Sequence, residues 1–516
     1  MNRPTPSPCD EPAGSDTVEC TDAARRWTLV AAVIGSGMAF VDGTIVNVAL
    51  PAIQRAMNAT TADAQWVMES YALLVSALLL VGGVLGDHYG RRRVFVIGAV
   101  VFTLASLGCA ASMSVAWLIG MRALQGAGAA LLIPGSLSLL SSAFPKERRG
   151  AAIGTWSAFS GITAAIGPVL GGFLVEHVSW HWAFLVNLPL GILLVAICYW
   201  RVPESRGEDA GRIDILGAVL ATIGLAGVVY AFIEAPLHGW VSPGVIASGV
   251  VGVVALVAFV VVETRISDPM LPLGLFRDRD FAGANLLTLL LYASLGGSLF
   301  FVPLNLIQVQ GYGATGAGAS LLPFIAIMFV LSRWTGRLVD VMGARLPLIV
   351  GPTIAGAGFA LYALPGVGGS YWTTFFPAAC VLGLGMSITI APLTTTVMNA
   401  LTPALAGTAS GVNNAVSRVA GLLAIAVFGI VLTQGFDTAL QEGLSHGVPA
   451  DVVQSVIAQK AKLAGIQVTN DAARQAIDAA FVAGFRRVML VSAALAVLSA
   501  VAAGLMIRPV KQADRG

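Results

Sequence analysis

Four ionisable side chains interrupt long apolar stretches of this sequence: Asp42, Glu69, Arg122 and Arg418. An ionisable group at the centre of a bilayer costs roughly 2.5–3.5 kcal/mol on insertion scales, so the groups that remain there are candidates for a function. Poor solvation favours the neutral form of a carboxylate, whereas a nearby guanidinium favours the ionised form. A carboxylate in such surroundings can bind and release a proton inside a membrane.

The positions of three of these groups along their helices suggest that they lie close together. Asp42 follows the predicted start of helix 1 at residue 27 by fifteen residues, about 22 Å into a core roughly 30 Å thick. Glu69 lies four or five residues into helix 2 and Arg122 about seven residues into helix 4, and both of these helices run in the opposite direction. All three are therefore expected in the outer third of one structural half.

Each of these groups also has an ordinary structural explanation. Asp42 and Arg122 could form a fixed pair that serves folding only, and Glu69 could be a solvated residue near the membrane interface. Arg418 stands beside Asn413 and Asn414, where it either lines a cavity or braces its own half.

The composition places the chain in a lipid bilayer. Of its 516 residues 57% are hydrophobic and only 11% are charged, which is too few charges to cover a soluble surface of this size. The net charge of +2 gives no reason to expect nucleic acid as a partner. No cysteine has metal-ligand spacing, so no metal site is expected. Runs of about 20 apolar residues predict an all-α membrane protein with fourteen spanning helices, at residues 27–50, 65–86, 94–112, 115–136, 150–175, 182–200, 213–234, 243–262, 282–304, 315–335, 346–364, 373–398, 406–433 and 488–507.

The positive charges predict the orientation. The loops and tails on one side of this arrangement hold nearly all of the arginines and lysines, whereas the short loops of the other side hold only Arg55. By the positive-inside rule the arginine-rich side is cytoplasmic. Because the number of helices is even, both termini are then cytoplasmic.

A charged turn punctuated by glycine occurs twice. Residues 83–93 read GVLGDHYGRRR and residues 336–345 read GRLVDVMGAR, the same pattern G-x-L-x-D-x-x-G-x-R at an offset of 253 (336 − 83). Asp87 thus corresponds to Asp340, and Gly90 to Gly343. Internal repeats between apolar helices are typical of transporters built from two halves.

The repeat divides the helices into groups of six, two and six, with two pseudo-symmetric halves around a central cavity. We predict a disordered cytoplasmic tail at 1–26, an N-terminal half at 27–200 and an insertion at 201–280 that carries helices 7 and 8 with cytoplasmic linkers. The C-terminal half follows at 281–507, and a cytoplasmic tail at 508–516. Within that half, the apolar spacing of the extracytoplasmic segment 435–485 suggests one or two amphipathic helices on the outer face. The alternative is a solvated segment without a role in transport.

Five motifs in order resemble the major facilitator superfamily, specifically its fourteen-helix drug:proton antiporters of the multidrug efflux type. Residues 41–51 (VDGTIVNVALP) are similar to the helix 1 signature, whose aspartate is implicated in proton coupling and cation binding. Residues 83–93 resemble the cytoplasmic gating signature, and residues 122–128 (RALQGAG) the helix 4 motif with its proton-relay arginine. Residues 167–172 (GPVLGG) resemble the exporter motif of helix 5, and residues 180–189 (WHWAFLVNLP) the start of helix 6.

The resemblance and the depth argument together predict the site residues. Proton coupling is expected from Asp42 and Arg122, with Glu69 as an auxiliary carboxylate that only its depth supports. The cytoplasmic gate would use Gly83, Asp87, Gly90, Arg91, Arg92, Gly336, Asp340, Gly343 and Arg345, and the helix 5 motif would use Gly167, Pro168, Gly171 and Gly172. Candidate cavity residues are Asp42, Trp66, Glu69, Tyr71, Gln125, Trp156, Phe159, Tyr292, Phe300, Asn413, Asn414 and Arg418. For each of the aromatic residues, a lipid-facing or packing role is an equally good reading.

These features predict a multi-pass exporter of the bacterial inner (cytoplasmic) membrane that exchanges protons for amphipathic drugs or toxic organic compounds, cationic ones among them. We expect a monomer that needs no cofactor, is driven by the proton gradient and is not an enzyme. One alternative is a dedicated exporter of an endogenous metabolite, siderophore or lipid precursor. A second is a non-transporting receptor or scaffold, for which neutralising Asp42 would leave function intact. The sequence leaves open whether Arg122 pairs with Asp42 or with Glu69.

Overall fold

The computed structural model describes residues 21–206, 214–266, 269–335, 342–401, 406–445 and 448–509. These residues contain fourteen helices that are long and apolar enough to cross a membrane, as the sequence predicts. We number them α1 to α14: α1 Asp22–Met57, α2 Thr61–Tyr89, α3 Arg91–Ala110, α4 Val115–Ala143, α5 Lys146–His177, α6 Trp182–Arg201, α7 Ile215–His238, α8 Pro243–Glu263, α9 Arg279–Val309, α10 Ala314–Ala319 with Leu322–Thr335, α11 Arg345–Tyr362, α12 Phe375–Asn399, α13 Ala406–Leu444 and α14 Asp471–Met506.

Local sequence sets the start of two helices that carry site residues. α2 begins at a capping box, in which the Thr60 hydroxyl accepts from the Asp63 amide at 3.1 Å and the Asp63 carboxylate accepts from the Thr60 amide at 2.8 Å. Such reciprocal bonds satisfy amide donors that the first helical turn leaves free. α6 is interrupted at Val186, so that Asn187 begins its main segment.

The N-terminal half packs around α1, α2, α3, α4 and α6. Met38, Tyr71, Phe95, Phe102 and Leu132 are among the buried side chains of its core. α4 lies between α1, α2 and α3, and this central place brings its polar residues within reach of the other helices of the half.

The inserted helices α7 and α8 pack against each other, and α7 also lies against α2 and α13. The outward face of α8 is apolar and exposed, with Val250, Val253, Val254 and Val257 on it. A helix with such a face suits contact with lipid, where apolar side chains need no cover.

Backbone geometry supports the repeat seen in the sequence. Gly90 has a φ of 110° and Gly343 a φ of 74°, a region that side chains with a Cβ rarely adopt. Both glycines occupy the same place in the repeated pattern. Gly336 and Asp340 lie outside the described residues.

The structure corrects one sequence-based expectation and refines another. Helix α1 begins at Asp22, so residues 22–26 are helical and are not part of a disordered tail. In the segment 435–485, α13 continues to Leu444 and α14 starts at Asp471, and between them one separate α-helix, Ala450–Ala458, lies within the described residues. The two extensions bury apolar residues against each other, including Phe436, Leu440 and Phe481. An amphipathic pattern could not distinguish such paired extensions from helices lying flat on a membrane.

Candidate functional site

The Asp42–Arg122 pair lies inside the N-terminal half, where α1 faces α4. Both side chains are fully buried, with 0% exposure, and Nη1 of Arg122 donates to Oδ2 of Asp42. Arg122 therefore pairs with Asp42, a choice that the sequence left open. A buried ion pair is stable only when further hydrogen bonds satisfy its remaining polar atoms.

Two amide side chains complete the surroundings of Asp42. Nε2 of Gln125 donates to Oδ1 of Asp42 at 2.7 Å, and Nδ2 of Asn187 on α6 donates to the same oxygen at 3.1 Å. Gln125 lies three residues after Arg122, so one face of α4 presents both donors. Three side-chain donors thus converge on the carboxylate of Asp42.

Arg122 has its own set of contacts. Its Nε donates to the carbonyl oxygen of Val67 at 3.0 Å, and its Nη1 also donates to Oε1 of Gln125 at 2.7 Å. The guanidinium carbon lies 4.3 Å from the centroid of the Tyr71 ring, a cation–π distance. Nη2 is buried and has no hydrogen-bond partner in the described part of the chain. One arm of the guanidinium therefore remains available for another acceptor.

Glu69 differs sharply from Asp42. Its side chain is also fully buried, but both carboxylate oxygens lack a hydrogen-bond partner among the described residues. It stands on α2, four residues after Gln65, whose Nε2 donates to the carbonyl oxygen of Ile425 on α13 at 2.9 Å. The two carboxylates of this half therefore have opposite surroundings. Asp42 accepts from three side-chain donors, whereas Glu69 accepts from none among the described residues.

Sequence reasoning missed two members of the Asp42 cluster. Asn187 stands within the motif at the start of helix 6, but no role was assigned to it. Ser106 on α3 accepts from Nε2 of Gln125 at 2.7 Å and lies 3.4 Å from Nδ2 of Asn187. One feature of the sequence could have pointed to Asn187: it is an asparagine at the start of an apolar helix.

Several predicted cavity residues have packing roles. Nε1 of Trp66 donates to Oε1 of Glu234 on α7 at 2.9 Å, so Trp66 joins α2 to the inserted helices. Phe300 is buried against Phe301 in the C-terminal half, with ring centroids 4.8 Å apart. Phe300 is 1% exposed and Trp66 is half-buried, so a role in lining a cavity stays a prediction for both.

The other candidate cavity residues of the N-terminal half differ in how far their side chains are exposed. Tyr71 and Gln125 are buried beside the ion pair, and Nε1 of Trp156 donates to the Ser36 hydroxyl at 3.0 Å. Phe159 is 48% exposed.

In the C-terminal half, Tyr292 is partly buried in the core. Nδ2 of Asn413 donates to the Thr288 hydroxyl on α9 at 2.7 Å. Asn414 is exposed and Arg418 is half-buried, so a role in lining a cavity stays a prediction for both.

The first gating motif forms ion pairs within the N-terminal half. Oδ1 of Asp87 lies 2.7 Å from Nε of Arg91. Oε1 of Glu204, in the linker after α6, accepts from the Arg92 amide at 2.9 Å, and its Oε2 lies 3.7 Å from Nε of Arg92 and 3.6 Å from that of Arg93. Glu204 was missed because it follows the motif by more than a hundred residues.

In the second gating motif, Arg345 lies within the described residues, as Gly343 does. Its guanidinium donates to the carbonyl oxygen of Gly504 at the end of α14. This contact stays within the C-terminal half, as the contacts of Asp87 stay within the N-terminal half.

We call the end of the bundle that carries the α1–α2 turn the outer end, following the predicted topology. There the helix 5 motif forms a seam between the two halves. A Cβ added to Gly172 would lie 2.3 Å from the carbonyl oxygen of Ala314, and one added to Gly318 would lie 2.0 Å from that of Pro168. Oε2 of Glu176 accepts from the Thr315 amide at 2.8 Å. The other two glycines of the motif, Gly167 and Gly171, lie against α1.

Further polar contacts join the halves at the same end. Nε2 of Gln308 on α9 donates to Oε1 of Gln54 on α1 at 2.9 Å. Nζ of Lys462, in the segment between α13 and α14, donates to Oδ1 of Asn58 at 2.6 Å. Together with the α5–α10 seam, these bonds close the outer end of the molecule.

We predict that a larger side chain in this seam impairs transport. Gly318→Leu would place a side chain against the backbone of α5, so we expect the outer ends to separate and transport to fall more than tenfold. Spin labels at Val178 and Val367 on the two outer ends should report a longer distance. Gly244→Leu, where a Cβ meets open space, is the matched control. Normal transport and an unchanged distance in Gly318→Leu would contradict a closing role for the seam.

The fourteen apolar helices and the buried charges between them define a multi-pass membrane transport protein. Residues 32–425 match the family described as Major Facilitator Superfamily. The chain is 37% identical over 435 residues to "Multidrug resistance protein Stp" of Mycobacterium tuberculosis, covering 84% of this chain and 80% of that protein. It is 36% identical over 452 residues to "Puromycin resistance protein pur8" of Streptomyces alboniger, covering 86% and 89%.

A solved structure shares the fold. The crystal structure of a bacterial homologue of the human lysosomal transporter Spinster, in an inward-facing and unoccupied conformation, superimposes with a TM-score of 0.67 at 17% identity, covering 94% of this chain and 97% of that one. The chain belongs to the major facilitator superfamily. It is therefore a transport protein of the cell membrane and not an enzyme, and its relatives include drug-resistance proteins.

Proposed function

We propose that this protein exports amphipathic drugs or toxic organic compounds across the cytoplasmic membrane in exchange for protons. The observation that carries the coupling is the contrast between two buried carboxylates of one half: Asp42 with three donors, and Glu69 with none. Relatives of this chain are named as resistance proteins. Their names support export as the direction of transport and drugs as the class of substrate.

Burial without a partner sets the charge of Glu69. An isolated ionised carboxylate in a medium of low dielectric constant is so costly that the group takes up a proton instead. In the outer-closed conformation burial favours the protonated acid at Glu69, whereas three side-chain donors surround Asp42. The structure thus favours Glu69 as the proton carrier in this conformation. Protonation of Asp42 requires Arg122 to move away.

The energy for export comes from the proton gradient, with no cofactor. Each charge that crosses the full membrane potential contributes about 2.3 kcal/mol per 100 mV. The protein acts as a monomer with both termini in the cytoplasm, which the arginine-rich loops on that side support.

Everted membrane vesicles acidified inside test this function. Added drug should enter the vesicles while protons leave, so a pH-sensitive dye should report loss of the gradient in vesicles that contain the protein. Fluorescein, an anion, and rhodamine 6G, a cation, are suitable first compounds, because together they cover both signs of charge. Drug uptake that continues at full rate after nigericin and valinomycin have abolished the gradients would exclude proton coupling.

A further inference from the structure

We propose that Arg418, on the face of α13 that lies against α2, forms an anion-binding subsite that recognises the carboxylate or phenolate of an amphipathic organic acid. The proposal deepens the proposed function, because it names the charge class of the exported compound. It departs from the sequence-based expectation that included cations.

The position of Arg418 follows from the contacts on either side of it. A Cβ added to Gly411 would lie 3.6 Å from Leu80 of α2, and the carbonyl oxygen of Ile425 accepts from Gln65 of α2. Residues 411, 418 and 425 are seven apart and so share one helix face. Arg418 therefore faces α2 between these two contacts, about 18 Å along α13 from Ala406.

Arg418 has no ion-pair partner within the described residues, in contrast to Arg122. Its side chain is half-buried, and it lies within electrostatic range of Tyr71 on α2. Two neighbouring polar side chains of its own helix, those of Asn414 and Ser417, donate to carbonyl oxygens within α13. The guanidinium thus keeps its donors for a ligand.

The balance of charge in the membrane interior determines which ligand fits. Asp42 and Arg122 cancel each other, Glu69 is neutral when protonated, and all three have 0% exposure. Of these four ionisable groups, Arg418 is therefore the one whose charge is accessible. A cationic solute would meet a like charge at low dielectric constant, whereas an anion would gain charge-assisted hydrogen bonds from a planar guanidinium.

The transport cycle then moves net charge. Export of a monoanion in exchange for one entering proton transfers two charges, whereas export of a monocation for one proton transfers none. An interior-negative potential consequently drives the first exchange and leaves the second unaffected.

Two dyes that share a xanthene skeleton test the proposal: fluorescein, an anion, and rhodamine 6G, a cation. Binding to the purified protein in detergent would be measured by fluorescence polarisation for the wild type, Arg418→Gln, Arg418→Lys and the control Arg487→Gln, which removes an exposed arginine of α14. We expect the wild type to prefer fluorescein. Arg418→Gln should lose affinity for fluorescein about tenfold or more while rhodamine binding stays equal or improves, and Arg418→Lys should retain part of the affinity.

Absence of a preference for fluorescein in the wild type, or equal fluorescein binding by wild type and Arg418→Gln, would overturn the proposal. Should Arg418→Gln fail to fold, the wild type alone decides, because fluorescein export from proteoliposomes must respond to a potassium–valinomycin potential. Potential-independent export of rhodamine 6G in exchange for protons would refute the anion subsite and leave proton-coupled export standing. Transport of either dye without any proton movement would refute the proposed function instead.

Discussion

Asp42→Asn is expected to abolish proton-driven export and to destabilise the protein. Asparagine has nearly the same shape but no charge, so the substitution leaves the guanidinium of Arg122 buried without its counter-ion. Removing one partner of a buried ion pair costs about 3–5 kcal/mol. Substrate-dependent proton movement in vesicles should fall to background, and the unfolding temperature of the purified protein in detergent should fall with it.

A double variant separates the two effects. Asp42→Asn combined with Arg122→Gln removes both charges, so we expect much of the lost stability to return while export stays at background. Asp451→Asn, which removes an exposed carboxylate of the outer helix Ala450–Ala458, is the control for loss of an acidic group. Export at the wild-type level in the double variant would reduce the pair to a folding element, the alternative that the sequence left open.

Glu69→Gln, unlike Asp42→Asn, is expected to have little effect on the stability of the protein and a large effect on proton coupling. Because Glu69 has no hydrogen-bond partner among the described residues, glutamine replaces it without leaving a buried counter-ion unpaired. The free energy of unfolding should change by no more than about 1 kcal/mol, the central value for single substitutions. Proton-driven accumulation should fall by at least a hundredfold.

The measurement that isolates coupling is exchange in the absence of a gradient. Glu69→Gln should still exchange labelled for unlabelled substrate across proteoliposome membranes, and the rate should no longer depend on pH. Loss of exchange together with accumulation would indicate a role in substrate binding or folding. Full proton-driven accumulation would show that the proton travels elsewhere.

Much of the site was predictable because each motif brings its own local chemistry. Asp42 and Arg122 were expected near each other from depth alone, and the structure joins them. The repeated turn predicted equivalent glycines, and Gly90 and Gly343 both have positive φ. Trp66 and Phe300 show what such reasoning leaves open. An aromatic residue in an apolar helix suits lipid, a neighbouring helix or a cavity equally well, and the sequence does not state how the helix is rotated.

The sequence by itself determined the number and order of the spanning helices and the two-half plan. In a bilayer, a run of about 20 apolar residues must satisfy its own backbone hydrogen bonds, and the helix is the structure that does so within one segment. Tertiary structure alone decided that Arg122 pairs with Asp42, that Asn187 joins them and that Glu69 has no partner. Asp42 and Asn187 are 145 residues apart in the chain, and their contact depends on the rotation and tilt of separate helices, which no local pattern encodes.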